Sequence, residues 1–193
     1  MSGAYSSGVA NVKGSALASR VNWVRLNHGP DGVEKLCEAV SPELAVTVRE
    51  GIKVATWYDF EHFIELNTEI DRLFGSGDGA LIRELGRWGA EANLTTIYRL
   101  FYKVGTVRWV MARAARLWHL HYDDGRLTLR ELAGNEIELA IEDFPTPHCA
   151  HCQSVLGWAE KSIELSGGED VKTTIAACRH QGATVCRLRG RWS

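Results

Sequence analysis

The sequence lacks the features that mark membrane, secreted and nucleic-acid-binding proteins. No apolar run reaches the roughly 20 residues that a membrane-spanning helix needs, and the N-terminus does not resemble a secretory signal. The 22 Lys and Arg residues nearly balance the 24 Asp and Glu residues, which gives a formal net charge of -2. No excess of positive charge therefore favours nucleic acid or an anionic membrane as a partner. We expect a cytoplasmic protein that binds neither.

Familiar catalytic motifs are also missing. The chain has no Gly-rich dinucleotide fingerprint, no nucleophile motif and no clear pair of carboxylates in a cleft-like context. These absences favour a role without catalysis, and the sequence offers no candidate catalytic residue.

The length and composition are those of an ordinary globular protein. The 193 residues are 45% hydrophobic and 24% charged, which is enough to bury a sizeable core. Residues 1–15, rich in Gly, Ser and Ala, predict a flexible leader. We expect a helical region over 16–117 and an α+β portion over 118–193, together forming one compact domain.

Apolar residues before Trp118 recur at spacings of three and four, which predicts several helices. A long helix is expected over 80–104, and Gly86, Gly89 and Ala90 within it lower the helix propensity. Such residues indicate close approach by another backbone. This helix is therefore expected either at a dimer seam or at the centre of the fold.

From Trp118 onward the apolar period changes from 3.6 to 2, which is typical of strands. Five segments predict strands: 118–122, 126–132, 136–144, 170–177 and 184–192. A helix starting near Thr146 separates the third from the fourth. We therefore predict an α+β fold, in which an antiparallel sheet of about five strands packs against several helices and follows an N-terminal helical region.

Four of the five cysteines occur in two pairs near the C-terminus, Cys149-x2-Cys152 and Cys178-x7-Cys186. The first pair would lie in the opening turn of a helix and the second would flank the loop of a hairpin. Thiols placed in this way can surround one ion, and tetrahedral zinc takes such ligands. We predict a zinc site at these four cysteines.

The sequence leaves other ligands and other roles open for this region. The neighbouring histidines are second choices for a ligand: His148, His151 and His180. Cysteines are also common as small core residues, and Cys149 with Cys152 has the spacing of a redox pair.

The cysteine region resembles a known family. Residues 152–158 (CQSVLGW), 165–171 (LSGGEDV) and 178–186 are similar to the C-terminal part of the 4-vinyl-reductase domain. This family includes sensor domains of activators of aromatic-compound catabolism and is similar in fold to the Bet-type subunits of the TRAPP tethering complex. The resemblance covers only this C-terminal stretch.

The resemblance implies a ligand set. In the aromatic-sensing members three cysteines and a glutamate hold zinc, and the matching cysteines here are Cys152, Cys178 and Cys186. Ile175 stands where the glutamate would be, so Cys149 is the expected fourth ligand. The family also implies an apolar effector pocket beside the zinc, for which the candidate lining residues are Trp118, Tyr122, Phe144 and Trp158.

We therefore expect a non-catalytic sensory or regulatory module that contains zinc and binds a small apolar or aromatic ligand. It is expected to form a homodimer and to pass its state to a protein partner. Three alternatives remain. They are an enzyme that reduces a vinyl group of a tetrapyrrole, a protein–protein scaffold without a small ligand, and a haem or gas sensor using His119, His121 or His180.

Overall fold

The computed structural model describes residues 10–92 and 105–193. In this part of the chain the helices are α1 Gly14–Ala39, α2 Pro42–Glu50, α3 Phe60–Phe74, α4 Ala80–Ala92, α5 Val107–Arg116 and α6 Cys149–Leu165. The strands are β1 Asn11–Lys13, β2 Trp57–Asp59, β3 Arg126–Glu131, β4 Glu136–Glu142, β5 Lys172–Ala177 and β6 Cys186–Arg191. The described helices include none that is both long and apolar enough to cross a membrane.

The main sheet is antiparallel and has the strand order β3-β4-β6-β5. Alternation along β4 and β6 places Ile137, Leu139 and Leu188 on one buried face, since successive side chains of a strand point to opposite sides. Helix α6 packs against β5 and β6, and α5 packs against β3. The predicted α+β class, with its N-terminal helical region, is confirmed.

One predicted strand, 118–122, is wrong and forms a helical turn instead. Trp118–Leu120 is a 3-10 helix, and the Tyr122 amide donates to the Trp118 carbonyl at 3.0 Å. A strand would have buried Leu120 together with its neighbours at spacing two, whereas Leu120 is 42% exposed. The turn places Trp118 and Tyr122 one above the other, with ring centroids 4.3 Å apart. The main sheet therefore has four strands, and β1 pairs separately with β2.

The two ends of the helical region also differ in part from expectation. Residues 1–9 of the expected leader lie outside the described residues, whereas Asn11–Lys13 form β1 and Val12 is fully buried. Helix α1 is kinked at Gly29, whose φ is 68°, just before Pro30. The expected helix over 80–104 is described up to Ala92, and 93–104 lie outside the described residues.

Helices α4 and α6 touch through their backbones. A Cβ atom on Gly157 would lie 1.9 Å from the Arg83 carbonyl oxygen, and one on Gly86 would lie 2.1 Å from the Ser154 carbonyl oxygen. The close approach expected from Gly86 is thus a contact within this chain. Beside it, the Arg87 guanidinium donates to the Glu164 carboxylate at 2.9 Å.

Candidate functional site

A cavity of about 230 Å³ lies where α1, α4, α5 and α6 meet next to β3. Its wall is mostly apolar and contains several glycines and alanines. The lining residues are Ala16, Arg20, Phe63, Gly86, Gly89, Ala90, Ala114, Leu117, Trp118, Leu120, His121, Tyr122, Leu127, Ser154, Val155 and Trp158. A dry cavity of roughly 150 Å³ in another protein binds benzene, so this one has room for a single aromatic ring with a substituent.

Arg20 brings a positive charge to this cavity. The residue is only 4% exposed, and its Nη2 donates to the Ser154 hydroxyl at 2.6 Å while its Nη1 donates to the Ser19 hydroxyl at 2.9 Å. Its Nε donates to the Asn67 amide oxygen at 3.3 Å. Its Nη1 also donates to the Ala16 carbonyl oxygen at 3.5 Å. All four acceptors are neutral, and the ion pairs found among the described residues do not include Arg20. Burial lowers the pKa of Arg20 to about 10, which still leaves it charged at neutral pH.

His121 and Tyr122 add two neutral polar groups to the wall. Burial, followed by the charge of Arg20, lowers the pKa of His121, so its imidazole is neutral at pH 7. A neutral imidazole is the form that binds a metal ion. Burial raises the pKa of Tyr122, so its hydroxyl stays protonated and can donate a hydrogen bond.

The four candidate ligand-binding aromatics divide into two groups. Trp118, Tyr122 and Trp158 line the cavity. Phe144 is not part of the lining and packs behind it, with its ring centroid 6.0 Å from that of Trp118 and 5.7 Å from that of Tyr122. The cavity also contains a residue that was not predicted from the sequence, Arg20, which supplies the charge at this site.

A second candidate site is formed by the four paired cysteines. Cys149 and Cys152 lie in the first turn of α6, Cys178 follows β5, and Cys186 begins β6. The Cys178 sulfur is 3.6 Å from that of Cys149 and 3.8 Å from that of Cys152. The sulfurs of Cys152, Cys178 and Cys186 all lie within 4.8 Å of one another. We call these four residues the thiol cluster.

The thiols of this cluster differ in acidity. A hydrogen bond from Cys152 lowers the pKa of Cys186 to about 6, and the Arg179 amide also donates to the Cys186 sulfur at 3.3 Å. Burial raises the pKa of Cys149 to about 11. Cys186 is therefore the more acidic of these two thiols, because it accepts hydrogen bonds from Cys152 and from the Arg179 amide.

The three second-choice histidines lie in different surroundings. His148 is the N-cap of α6 and accepts from the Ala150 amide at 3.1 Å, while His180 is exposed. His151 packs in a group of aromatic rings, with its centroid 4.9 Å from those of Phe60 and Phe144, and is not among the residues whose ligand atoms lie together in the thiol cluster. Its Nε2 is buried without a hydrogen-bond partner among the described residues.

The three histidines predicted as possible haem ligands also lie in different places. His119 is exposed, and its Nδ1 lies 3.0 Å from the Arg116 carbonyl oxygen. His180 is exposed in the loop between β5 and β6. Of these three, His121 is the one in the cavity wall.

Comparison with known proteins shows similarity at the level of structure. A scan of protein-family models and a search of the curated proteins found no match. Solved structures of H-NOX domains, the haem NO/oxygen-binding fold, do match. An H-NOX protein from S. oneidensis in the Fe(II)NO state has a TM-score of 0.74 at 13% identity, covering 94% of this chain and 99% of that one.

A second solved structure is a mutant H-NOX protein from K. algicida in the Fe(II) unliganded state. Its TM-score is 0.69 at 12% identity, with 94% of this chain and 96% of that chain covered. A third, described by haem redox potential and porphyrin distortion, has a TM-score of 0.65 at 14% identity over 93% and 99% of the two chains. At such low identity these matches establish the fold alone.

These findings correct two expectations. Membership in the 4-vinyl-reductase family is wrong, because no family model matches and the similar solved structures named above are H-NOX domains. Zinc as the cofactor is also wrong, because the cofactor named for the similar structures is haem, with iron as its metal. The thiol cluster itself is nevertheless present, with its sulfurs close together.

Proposed function

We propose that this chain is a non-catalytic sensor domain that detects a diatomic gas through a haem, which the cavity would hold with His121 as the residue that binds its iron. The observation that carries the proposal is a neutral imidazole in the wall of a mostly apolar cavity within an H-NOX-like fold. When bound, a haem supplies an iron centre to which a small gas molecule can bind.

The polar groups around the cavity fit a haem, but the volume of the cavity is small for one. A haem needs an axial donor and, for its propionates, a cation, and His121 and Arg20 offer these. The volume of about 230 Å³ lies below the roughly 300–1,000 Å³ usual for small-molecule sites. Haem binding therefore requires the wall to move outward.

Haem addition to the purified full chain tests this proposal. We expect wild type to develop a Soret band that shifts when nitric oxide is added. His121→Ala should lower haem affinity at least about tenfold, because the axial bond is lost. His119→Ala is the matched control, since His119 lies two residues away and is exposed. Absence of a Soret band in wild type, or equal affinity in the two variants, would refute the proposal.

A second candidate is a sensor that binds a one-ring apolar molecule without haem. The cavity volume favours this candidate, and the aromatic faces of Trp118, Tyr122 and Trp158 suit such a ring. Under this alternative haem addition leaves the spectrum unchanged, whereas a one-ring ligand alters the fluorescence of the two tryptophans.

Sensing requires a recipient, so the proposal includes a protein partner that reads the state of the domain. The similar structures, as described, give the expected homodimer no support. A cytoplasmic location belongs to the proposal as well. It is supported by the thiol cluster, whose cysteines are free although they lie close together, as is usual in reducing compartments.

We also propose that the thiol cluster holds a metal ion that prefers sulfur ligands. Its four sulfurs come from α6, the end of β5 and the start of β6, so a bound ion would fix these elements to one another. Thiolate sets of this kind select soft metal centres. Because the elements are far apart in sequence, metal binding would contribute directly to the stability of the fold.

Elemental analysis and thermal unfolding test the metal proposal. We expect about one thiophilic metal ion other than zinc per chain, and a chelator should lower Tm by roughly 5 °C. Cys186→Ser should be insensitive to the chelator, whereas Cys37→Ser should respond like wild type, because Cys37 lies on α1 outside the cluster. Metal-free protein, or a chelator response in Cys186→Ser equal to that of wild type, would contradict the proposal.

A further inference from the structure

We infer that the cavity selects ligands that carry a carboxylate and that Arg20 is the residue that recognises it. This inference rests on the proposed function only in taking the cavity as the ligand site. The ligand class is an apolar body, built around at least one ring, with one acidic group. A haem propionate and a one-ring aromatic acid both supply this chemistry.

The first argument is the charge balance of the cavity. Arg20 is charged, while His121 and Tyr122 are neutral at pH 7 because burial shifts their pKa values away from ionisation. None of the described residues in the cavity wall is acidic. The part of the wall formed by described residues therefore carries a net positive charge in a mostly apolar setting, where a charge interacts more strongly than in water.

The second argument is the cost of burying Arg20. A buried charge without a charged partner loses several kcal/mol of hydration, and hydrogen bonds to neutral groups return only part of it. Arg20 donates such bonds to Asn67, Ser19 and Ser154 and lies 4.8 Å from the centre of the Phe63 ring. An apolar residue at this core position would stabilise the fold more than a buried arginine without a charged partner. Recognition of an acidic ligand gives a reason for the arginine.

The third argument is geometry. Ser154 and Arg20 line the cavity together, and the 2.6 Å bond from Nη2 to the Ser154 hydroxyl fixes the guanidinium at the wall. Gly89 leaves the space that the group needs, because a Cβ atom there would come within 3.0 Å of the Arg20 Nη1. Nε and both hydrogens of Nη1 are already donated to Asn67, Ser19 and Ala16, which leaves the second hydrogen of Nη2 for a charge-assisted bond to a carboxylate.

Matched pairs of ligands test the inference on the full chain. One arm compares benzoate with benzamide by tryptophan fluorescence, and the other compares haem with haem dimethyl ester by the Soret band. We expect the acid to bind about 10- to 100-fold more tightly than its neutral partner in at least one arm, because a hydrogen bond to a charged group contributes about 1.5–3 kcal/mol.

Variants assign that preference to Arg20. Arg20→Met should reduce it to less than about threefold, while Arg25→Met should leave it intact, because Arg25 is an exposed arginine on the same helix. If Arg20→Met does not fold, Arg20→Lys replaces it. Lysine keeps the charge and loses the planar guanidinium that Ser154 and Ser19 hold at the wall, so the preference should fall while remaining above one.

The outcomes separate this inference from the haem proposal. Preference for benzoate without any Soret band overturns the haem proposal and supports the inference. Equal binding of haem and its ester, with no preference for benzoate, overturns the inference and leaves the haem proposal standing. Failure of all four ligands to bind overturns both.

Discussion

Phe60→Ala is expected to lower the free energy of unfolding by about 4 kcal/mol, since buried Phe to Ala changes commonly cost 3–5 kcal/mol. Phe60 is 1% exposed, and its ring centroid lies 4.8 Å from that of Phe144 and 4.9 Å from that of His151. Removing the ring leaves a cavity in the aromatic group that joins α3 to α6. Thermal unfolding should show Tm lowered by roughly 10 °C.

Trp57→Ala is the matched control for that experiment. Trp57 precedes Phe60 by three residues but is 39% exposed, and its ring packs under the Lys13 ammonium at 3.9 Å. Its loss should change the free energy of unfolding by only about 0.5 kcal/mol, as for most surface substitutions. Similar Tm values for the two variants would show that the Phe60 ring does not hold α3 against α6.

Gly157→Ala is expected to lower the free energy of unfolding by about 3 kcal/mol. Helix propensity alone predicts the opposite sign, because alanine exceeds glycine by about 1 kcal/mol within a helix. The added Cβ would lie 1.9 Å from the Arg83 carbonyl oxygen, and we expect overpacking against a backbone atom to cost about 4 kcal/mol, above the usual range. Chemical denaturation measures the difference directly.

Gly134→Ala serves as the control for loss of a glycine without a contact. A Cβ atom on Gly134 meets nothing within 4 Å, although its φ of +67° is unfavourable for alanine. That conformation costs about 1–2 kcal/mol. A Gly157→Ala protein more stable than wild type would mean that α4 and α6 are not in backbone contact.

The helix that carries Cys149 and Cys152 was predictable in extent but not in detail. Its apolar spacing indicated the correct element within two residues at each end, yet its N-cap is His148 and not Thr146. The direction of His151 was beyond prediction. Neighbouring positions on a helix differ by about 100°, and only the aromatic rings of α3 and the 118–122 turn determine which way this histidine points.

Aromatic residues show where sequence periodicity reaches its limit. Trp57, Tyr58, Phe60 and Phe63 form one cluster in sequence, for which core packing is expected, but Trp57 lies in β2 and is 39% exposed. Likewise the alternation at 118–122 fits a strand as well as a single helical turn. Trp118 and Tyr122 are four residues apart, which places them on the same side of a strand and also on the same side of a helix. The local pattern therefore cannot distinguish a strand from a helical turn here.

Arg20 was missed although the sequence contains its signal. It lies three residues after Leu17 and four before Val24, on the same face of α1 as these buried residues. A charged residue on an apolar stripe signals a buried cation, but its purpose depends on Gly89 and Ser154, which lie far away in sequence. The 4-vinyl-reductase resemblance failed for a related reason, because a short C-terminal motif carries little information about the whole fold.

The backbone contacts between α4 and α6 restrict how the domain can respond to a ligand. Two helices that meet at Gly86 and Gly157 without intervening side chains cannot slide or rotate separately. We therefore expect them to move as one unit, which forms one side of the cavity. A molecule that needs more room must push against the opposite side, formed by α1, α5 and the 117–122 turn. Leu120 in that turn lines the cavity and is also 42% exposed, so an outward shift of the turn would change the surface of the domain.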